Sequence, residues 1–187
     1  HDLIKRLGFL KICAERSLKM AEFVTRADLK DDIEKKDVDV VKYIVEYLSL
    51  YGETFSENLK FSFSNNNEQL SKKFSVLNLS IILDNLISNA VKWDANKIQI
   101  DFEKVNDKQL LIFFSDNGRG LSEKFIKNSE KIFELSVRDV PPSGYSGSGI
   151  GLFYTKNLLN EMNCDIEFLG NKKVLSGATF KITINTI

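Results

Sequence analysis

The sequence is poor in residues that staple or interrupt a chain. Cysteine occurs twice, at Cys13 and Cys164, far apart along the 187 residues. Two distant thiols are not a disulfide framework, and they predict a reducing compartment with both thiols in apolar surroundings. Proline also occurs twice, side by side at Pro141 and Pro142. There is no surplus of charge: 26 Lys and Arg balance 26 Asp and Glu. No global field would draw nucleic acid or an anionic membrane, so neither is expected as a partner. No run is long and apolar enough to cross a bilayer, and no signal peptide opens the chain. No membrane contact is therefore expected within this stretch. The initiator methionine is missing too, which reads as a piece of a longer protein.

What is present suffices for one good core and a small helical appendage. From residue 1 to about 25, Leu3, Leu7, Leu10, Ala14, Ser17, Ala21 and Val24 recur in steps of four and three. That spacing predicts a helix with a packing seam. Ile33, Asp37, Val40, Ile44, Tyr47 and Tyr51 predict a second helix, widened by Val41, Val45 and Leu48. One hairpin cannot bury both faces, so a second copy is expected, forming a dimeric four-helix bundle. Residues 1–55 are read as this hairpin.

Residues 56–187 change character. Leu59, Phe61 and Phe63 alternate as a short strand. Ser75 to Lys92 predicts a strong helix, and Asn85, Asn89 and Lys92 share one of its faces. Asparagine is a poor interior helix former, so two on one face call for a reason. Alternating strands follow at Ile98–Phe102 and Leu110–Ser115, the latter ending in Asp116-Asn117-Gly118-Arg119-Gly120. After a short helix near Glu123 comes Ile132-Phe133-Glu134. Residues 136–149 are then rich in Ser, Gly and Pro, as befits a mobile lid. A helix from Gly151 to about Met162 and strands at Ile166–Phe168 and Ala178–Ile184 close the chain. The expected fold is α+β: a helical hairpin, then an α/β sandwich whose mixed, mostly antiparallel sheet carries its helices on one face.

Two familiar phosphate motifs are absent. No Gly-Lys-Ser/Thr ends a P-loop, and Gly147-x-Gly149-x-Gly151 lacks the spacing of a dinucleotide fingerprint. An anion site can still form where glycine-rich backbone meets the free N–H groups and dipole of the helix opening near Ile150. Asn89 offers a carbonyl oxygen to Mg²⁺, and Lys92 offers a point charge. Asp116, at a strand's mouth, can accept from the exocyclic amine of a base.

In combination these stretches resemble the ATP-binding domain of sensor histidine kinases, in the superfamily that includes DNA gyrase B, the 90-kDa heat-shock chaperone and the MutL proteins. Leu83–Lys92 is similar to the N box, Asp116–Leu121 to the first glycine box, and Ile132–Glu134 to the F box. Gly147–Leu152 is similar to the second glycine box, and Gly177-Ala178-Thr179-Phe180 to the closing strand. The resemblance covers residue 58 to the end and implies a Bergerat-type sandwich binding ATP and Mg²⁺. It implies that Asp116 holds the adenine amino group and that Asn89 ligates Mg²⁺. Asn85 and Lys92 would contact phosphates or hold the attacking geometry. Gly118 and Gly120 would let backbone lie against the nucleotide. Gly147, Gly149 and Gly151, with Leu152, would belong to the closing lid, and Thr179 would lie near the adenine. Arg138 is a weaker candidate for the phosphates.

His1-Asp2-Leu3-Ile4-Lys5-Arg6-Leu7 resembles the phospho-acceptor box of the same kinases. It implies His1 as acceptor, with Asp2 orienting it or taking its proton; the alternative is an inert terminal residue. Lys5 and Arg6 stand where the family usually has Thr or Asn and then Pro, which puts its phosphatase activity in doubt. The implied function is an ATP-dependent protein histidine kinase, homodimeric through the hairpin, passing phosphate to a response-regulator receiver. Its place would be the cytoplasm, or the cytoplasmic part of a membrane-anchored sensor. Two alternatives stay open. One is an ATP-binding switch without transfer. The other is a gyrase-type ATPase, for which only Asp84 offers a base on the asparagine helix, about 100° off its face.

Overall fold

The computed structural model describes residues 35–55, 58–139 and 149–186, together with isolated helical positions at Leu3, Leu7 and Ala14. Residues 35–39 form a strand, β1 (Lys35–Asp39), followed directly by helix α1 (Val40–Phe55). Then come β2 (Lys60–Ser64), β3 (Ser71–Ser75), α2 (Val76–Lys92), β4 (Lys97–Asn106) and β5 (Gln109–Asp116). A short α3 (Glu123–Lys127) and a 3-10 turn (Ser129–Phe133) precede α4 (Gly151–Glu161), β6 (Asp165–Asn171) and β7 (Ala178–Asn185).

The main sheet has the order β2-β4-β5-β7-β6, with β2 parallel to β4 and every other pair antiparallel. β5 is thus central, as its apolar run suggests. Ile98, Ile100, Phe102, Leu110, Ile112 and Phe114 alternate inward and are buried, while Gln99, Asp101, Leu111 and Phe113 lie half-buried on the other face. The inward face meets α2, whose Leu79, Ile82, Leu83, Leu86 and Ile87 are buried, and α4, which contributes Leu158 and Leu159. The mixed, mostly antiparallel sheet with helices on one face is therefore as expected. Cys164 is a buried core thiol.

The second predicted helix needs correction. Asp37, placed on its seam, lies in a strand instead, while Ile33 lies outside the described residues. Lys35–Asp39 pairs antiparallel with Ser71–Ser75, with Asp37 opposite Lys73. The Asp39 side chain then accepts from the Lys42 amide at 3.3 Å, as a helix-capping residue does. β3 was not anticipated, because Lys72-Lys73 breaks its apolar alternation. The dimeric bundle, His1 and Asp2 lie outside the described residues. Leu3 and Leu7 are helical, with 69% and 56% of their surface exposed.

α1 does not stand apart from the sandwich. Val40, Val41, Ile44, Tyr47 and Leu48 are buried in the same core as the sheet. Each contributes about 1.5–3 kcal/mol of burial, against a net domain stability of about 5–15 kcal/mol. Among the described residues, α1 and the sheet therefore share one core rather than forming two. A chain starting at residue 56 is expected to aggregate, and one starting just before Lys35 to unfold cooperatively as a soluble monomer. Thermal melts and gel filtration of the two check this; a well-folded 56–187 piece would contradict it.

Candidate functional site

One cleft lies between α2, the Asp116 turn and the start of α4. Asn85, Asn89, Lys92, Asp116, Gly120, Gly149, Gly151 and Leu152 all line it, and with Arg138 nine of the sequence-predicted residues come together. Gly118 and Thr179 are elsewhere. Gly118 does not line the cleft; a Cβ there would stand 2.5 Å from the Trp93 carbonyl oxygen, so it is the glycine that lets the turn close onto α2. Thr179 is buried on the far side of β7, its hydroxyl 3.1 Å from that of Ser115. Gly147, His1 and Asp2 lie outside the described residues.

Asp116 ends the central strand and is 4% exposed. Its Oδ1 accepts from the Gly118 amide at 2.8 Å and the Ala178 amide at 3.3 Å. Its main-chain oxygen accepts from the Gly177 amide at 2.9 Å. Burial pushes the carboxyl above the usual carboxylate range, and the two amide bonds partly oppose that shift. Both bonds fall on one oxygen, which leaves Oδ2 for a ligand. Gly177 is the tightest position here: a Cβ would come within 2.0 Å of Asp116 Oδ1. The turn before β7 therefore lies directly on the carboxylate.

Above this, α2 presents its asparagines. Ser75 caps the helix, its side chain accepting from the Asn78 amide. Asn85 Nδ2 donates to the Gly151 carbonyl and the Thr155 hydroxyl, both at 3.2 Å. Its amide thus straps α2 to the first turn of α4. Asn89 is half-buried, and its Nδ2 is shut away from water with no hydrogen-bond partner. That leaves its carbonyl oxygen as the end offered to the cleft. An orphaned amide donor costs about 1–3 kcal/mol, so stability alone does not account for this side chain.

The cleft is also suited to an anion. α4 begins with no side-chain hydrogen bond at its cap, and a helix start of this kind favours an anion. Lys92 and Arg138 line the same cleft. Among the described residues no group of three acidic, cysteine or histidine side chains could hold a metal. A hard cation here would need most of its oxygens from phosphates and water, with Asn89 as the protein ligand, and the donor set fits that use. Leu121, Phe125, Ile132, Val137 and Phe180 give the cleft an apolar part. Ser136 donates its amide to the Gly149 carbonyl at 3.2 Å, closing the base of the 136–149 loop. At Gly149 φ is +71° and a Cβ would meet Arg138 and Ser136 at 2.9 Å, so glycine is required there.

Several lining residues were not foreseen. Trp93, the only tryptophan, follows the asparagine helix and borders the cleft. Leu121, Phe125 and Phe180 gave no signal, because an apolar side chain facing a cleft has the same sequence pattern as one facing the core. Asp84 does not line the cleft. Its Oδ2 accepts from the Tyr47 hydroxyl at 2.6 Å, on the α1 side of the helix. The only carboxylate of α2 is therefore turned away from any ligand here.

Comparison with known proteins follows the same line. The family model described as histidine kinase-, DNA gyrase B- and HSP90-like ATPase matches residues 75–186. Histidine kinase P4 of Formosa agariphila is 24% identical over 170 residues, which is 89% of this chain and 12% of that protein. Sensor histidine kinase SpaK of Bacillus subtilis is 27% identical over 154 residues, 81% of this chain and 32% of that protein. The chain thus spans less than a third of either relative. Among solved structures, full-length ShkA in complex with AMPPNP superposes with a TM-score of 0.67 at 17% identity, over all of this chain and 38% of that one.

Proposed function

The chain belongs to the histidine kinase-, DNA gyrase B- and HSP90-like ATPase family, and on that footing we propose that it is the catalytic part of an ATP-dependent protein histidine kinase. An ATP-binding, histidine-kinase-like catalytic domain is its established character. The finer reading assigns the adenine to Asp116 and the apolar part of the cleft, with Trp93 alongside. The phosphates would lie between Asn89, Lys92 and the uncapped start of α4. Asn89 would hold Mg²⁺, which would supply charge neutralisation on the phosphates. Asn85 would hold the helix start that receives the phosphates, where Gly149 and Gly151 line the cleft; the expectation for Gly147 in the lid lies outside the described residues. AMPPNP in the ShkA structure is in keeping with this ligand class.

The observation that carries kinase over hydrolase is the cleft face of α2. It presents Asn85 and Asn89, and asparagine cannot act as a base at neutral pH. Asp84 is engaged with Tyr47 instead. Water is therefore not activated from this helix, and transfer to a nucleophile brought to the cleft is favoured. That nucleophile would be the imidazole of His1: its P–N bond forms as the bond from the γ-phosphorus to the β–γ bridging oxygen breaks, ADP leaves, and Asp2 takes the imidazole proton. Phosphate would then pass to a receiver-domain aspartate of a response regulator in a two-component system. The helical, exposed Leu3 and Leu7 support a homodimer formed through the residues around them. No described helix is long and apolar enough to cross a membrane.

Incubation with γ-labelled ATP and Mg²⁺ is expected to give an acid-labile, base-stable label, absent from a His1→Gln form. Tight ATP binding without label would favour a nucleotide switch. Steady phosphate release abolished by Asp84→Asn would favour hydrolysis.

A further inference from the structure

We propose that Asn171 is a positioning residue of the nucleotide site, which sets the height of the Gly120–Leu121 backbone against the base held by Asp116. The inference rests on the nucleotide reading above and adds a residue that lies outside the cleft lining.

After Gly118 the chain leaves the sheet, so the peptide groups around Leu121 have no strand to pair with. Asn171 supplies the missing rung. Its Oδ1 accepts from the Leu121 amide at 3.0 Å, and its Nδ2 donates to the Leu121 carbonyl at 2.7 Å. A carboxamide presents one donor and one acceptor side by side, as a facing strand residue would. Aspartate lacks the donor, and glutamine adds a methylene to a tight gap. The gap is tight because Gly120, at φ +71°, would place a Cβ 2.4 Å from the Asn171 carboxamide carbon. Glycine at 120 and asparagine at 171 are therefore one fitted pair.

The same hairpin turn also holds Asp116. Asn171 pairs with Ala178 at the end of the β6–β7 ladder, and the Lys172 amide donates to the Gly177 carbonyl. Gly177 and Ala178 then donate to Asp116, and Ser176 Oγ donates to the Asn117 carbonyl at 3.0 Å. One turn thus fixes both the carboxylate and the Leu121 wall. Asn171 acts through the Leu121 peptide groups, at the end of the cleft where Asp116 stands.

The test compares Asn171→Ala and the near-isosteric Asn171→Asp with wild type. Adenosine and Mg·ATP are titrated separately, followed by calorimetry and by Trp93 emission. Both variants are expected to bind each ligand about tenfold more weakly, with the ratio of the two affinities unchanged. In wild type the Leu121 amide is expected to exchange slowly with deuterium, and more slowly with adenosine bound. This readout needs no variant to fold. Wild-type affinities in the variants, with only the melting temperature lowered, would reduce Asn171 to a staple and overturn the proposal. So would a loss that spares adenosine, or a Leu121 amide exchanging at the unprotected rate. Failure of the wild-type protein to bind either ligand would sink the nucleotide reading itself.

Discussion

Replacing Asp116 with alanine is expected to weaken adenine-nucleotide binding by roughly a hundredfold or more. A hydrogen bond to a charged group contributes about 1.5–3 kcal/mol, and each 1.4 kcal/mol is a factor of ten. The substitution removes that bond and also strands the Gly118 and Ala178 amides, which now converge on Oδ1. Calorimetric titration with Mg·ATP checks it, and an unchanged dissociation constant would contradict it. Asp116→Asn separates function from stability. The asparagine oxygen can keep both amide bonds without a buried charge. The native carboxyl is raised by burial, so its charging opposes folding as pH rises through the folded value. The asparagine form is therefore expected to melt higher than wild type at neutral pH, with the gap closing in acid where Asp116 is protonated. Its nucleotide affinity should still fall, because the accepting oxygen at the cleft becomes a donor or a weaker acceptor. A lower melting temperature at neutral pH would show that the charge is compensated in some other way.

The second large effect concerns the metal. Asn89→Ala is expected to remove most of the gain in ATP affinity that Mg²⁺ provides, roughly tenfold or more, since one of about six oxygen ligands is lost and no cluster of three acidic, cysteine or histidine side chains among the described residues stands ready to replace it. The fold should be spared, because the side chain makes no hydrogen bond that holds it and its Nδ2 is already orphaned. A Mg²⁺ titration of ATP binding that overlays the wild-type curve would remove Asn89 from the metal's coordination.

The contrast between these two residues and their surroundings shows what a sequence discloses. Asp116 stood out by its setting: a carboxylate after an apolar run and before two glycines can be a plain surface turn, and the asparagine helix before it and the glycine run after it gave it weight. Asn85 and Asn89 stood out because asparagine disfavours helix interiors and the spacing fixes their common face. Asn85 nevertheless turned out to strap two helices together, a contact between residues 66 apart that no local pattern encodes. Trp93, Leu121 and Phe125 were invisible as cleft residues, because burial against a ligand and burial against a core follow the same periodicity. β1 was absorbed into the helix after it, since Val38 continues smoothly into Val40 and Val41. β3 was missed because its register depends on a partner more than 30 residues upstream, while Lys72 and Lys73 conceal the alternation. Gly177 gave least warning of all. Its constraint is the approach of Asp116 from another strand, not its own backbone angles.

The central claim is that the purine is gripped where β5 ends and the magnesium-bound tail lies between the asparagine helix and the start of α4. A crystal structure of the protein with Mg²⁺ and a non-hydrolysable ATP analogue measures this directly. The expected result is the exocyclic amine within hydrogen-bond reach of Asp116 Oδ2, the metal on Asn89, and the phosphates against Gly149–Gly151. A purine seated anywhere else, with the Asp116 turn facing solvent, would contradict the account.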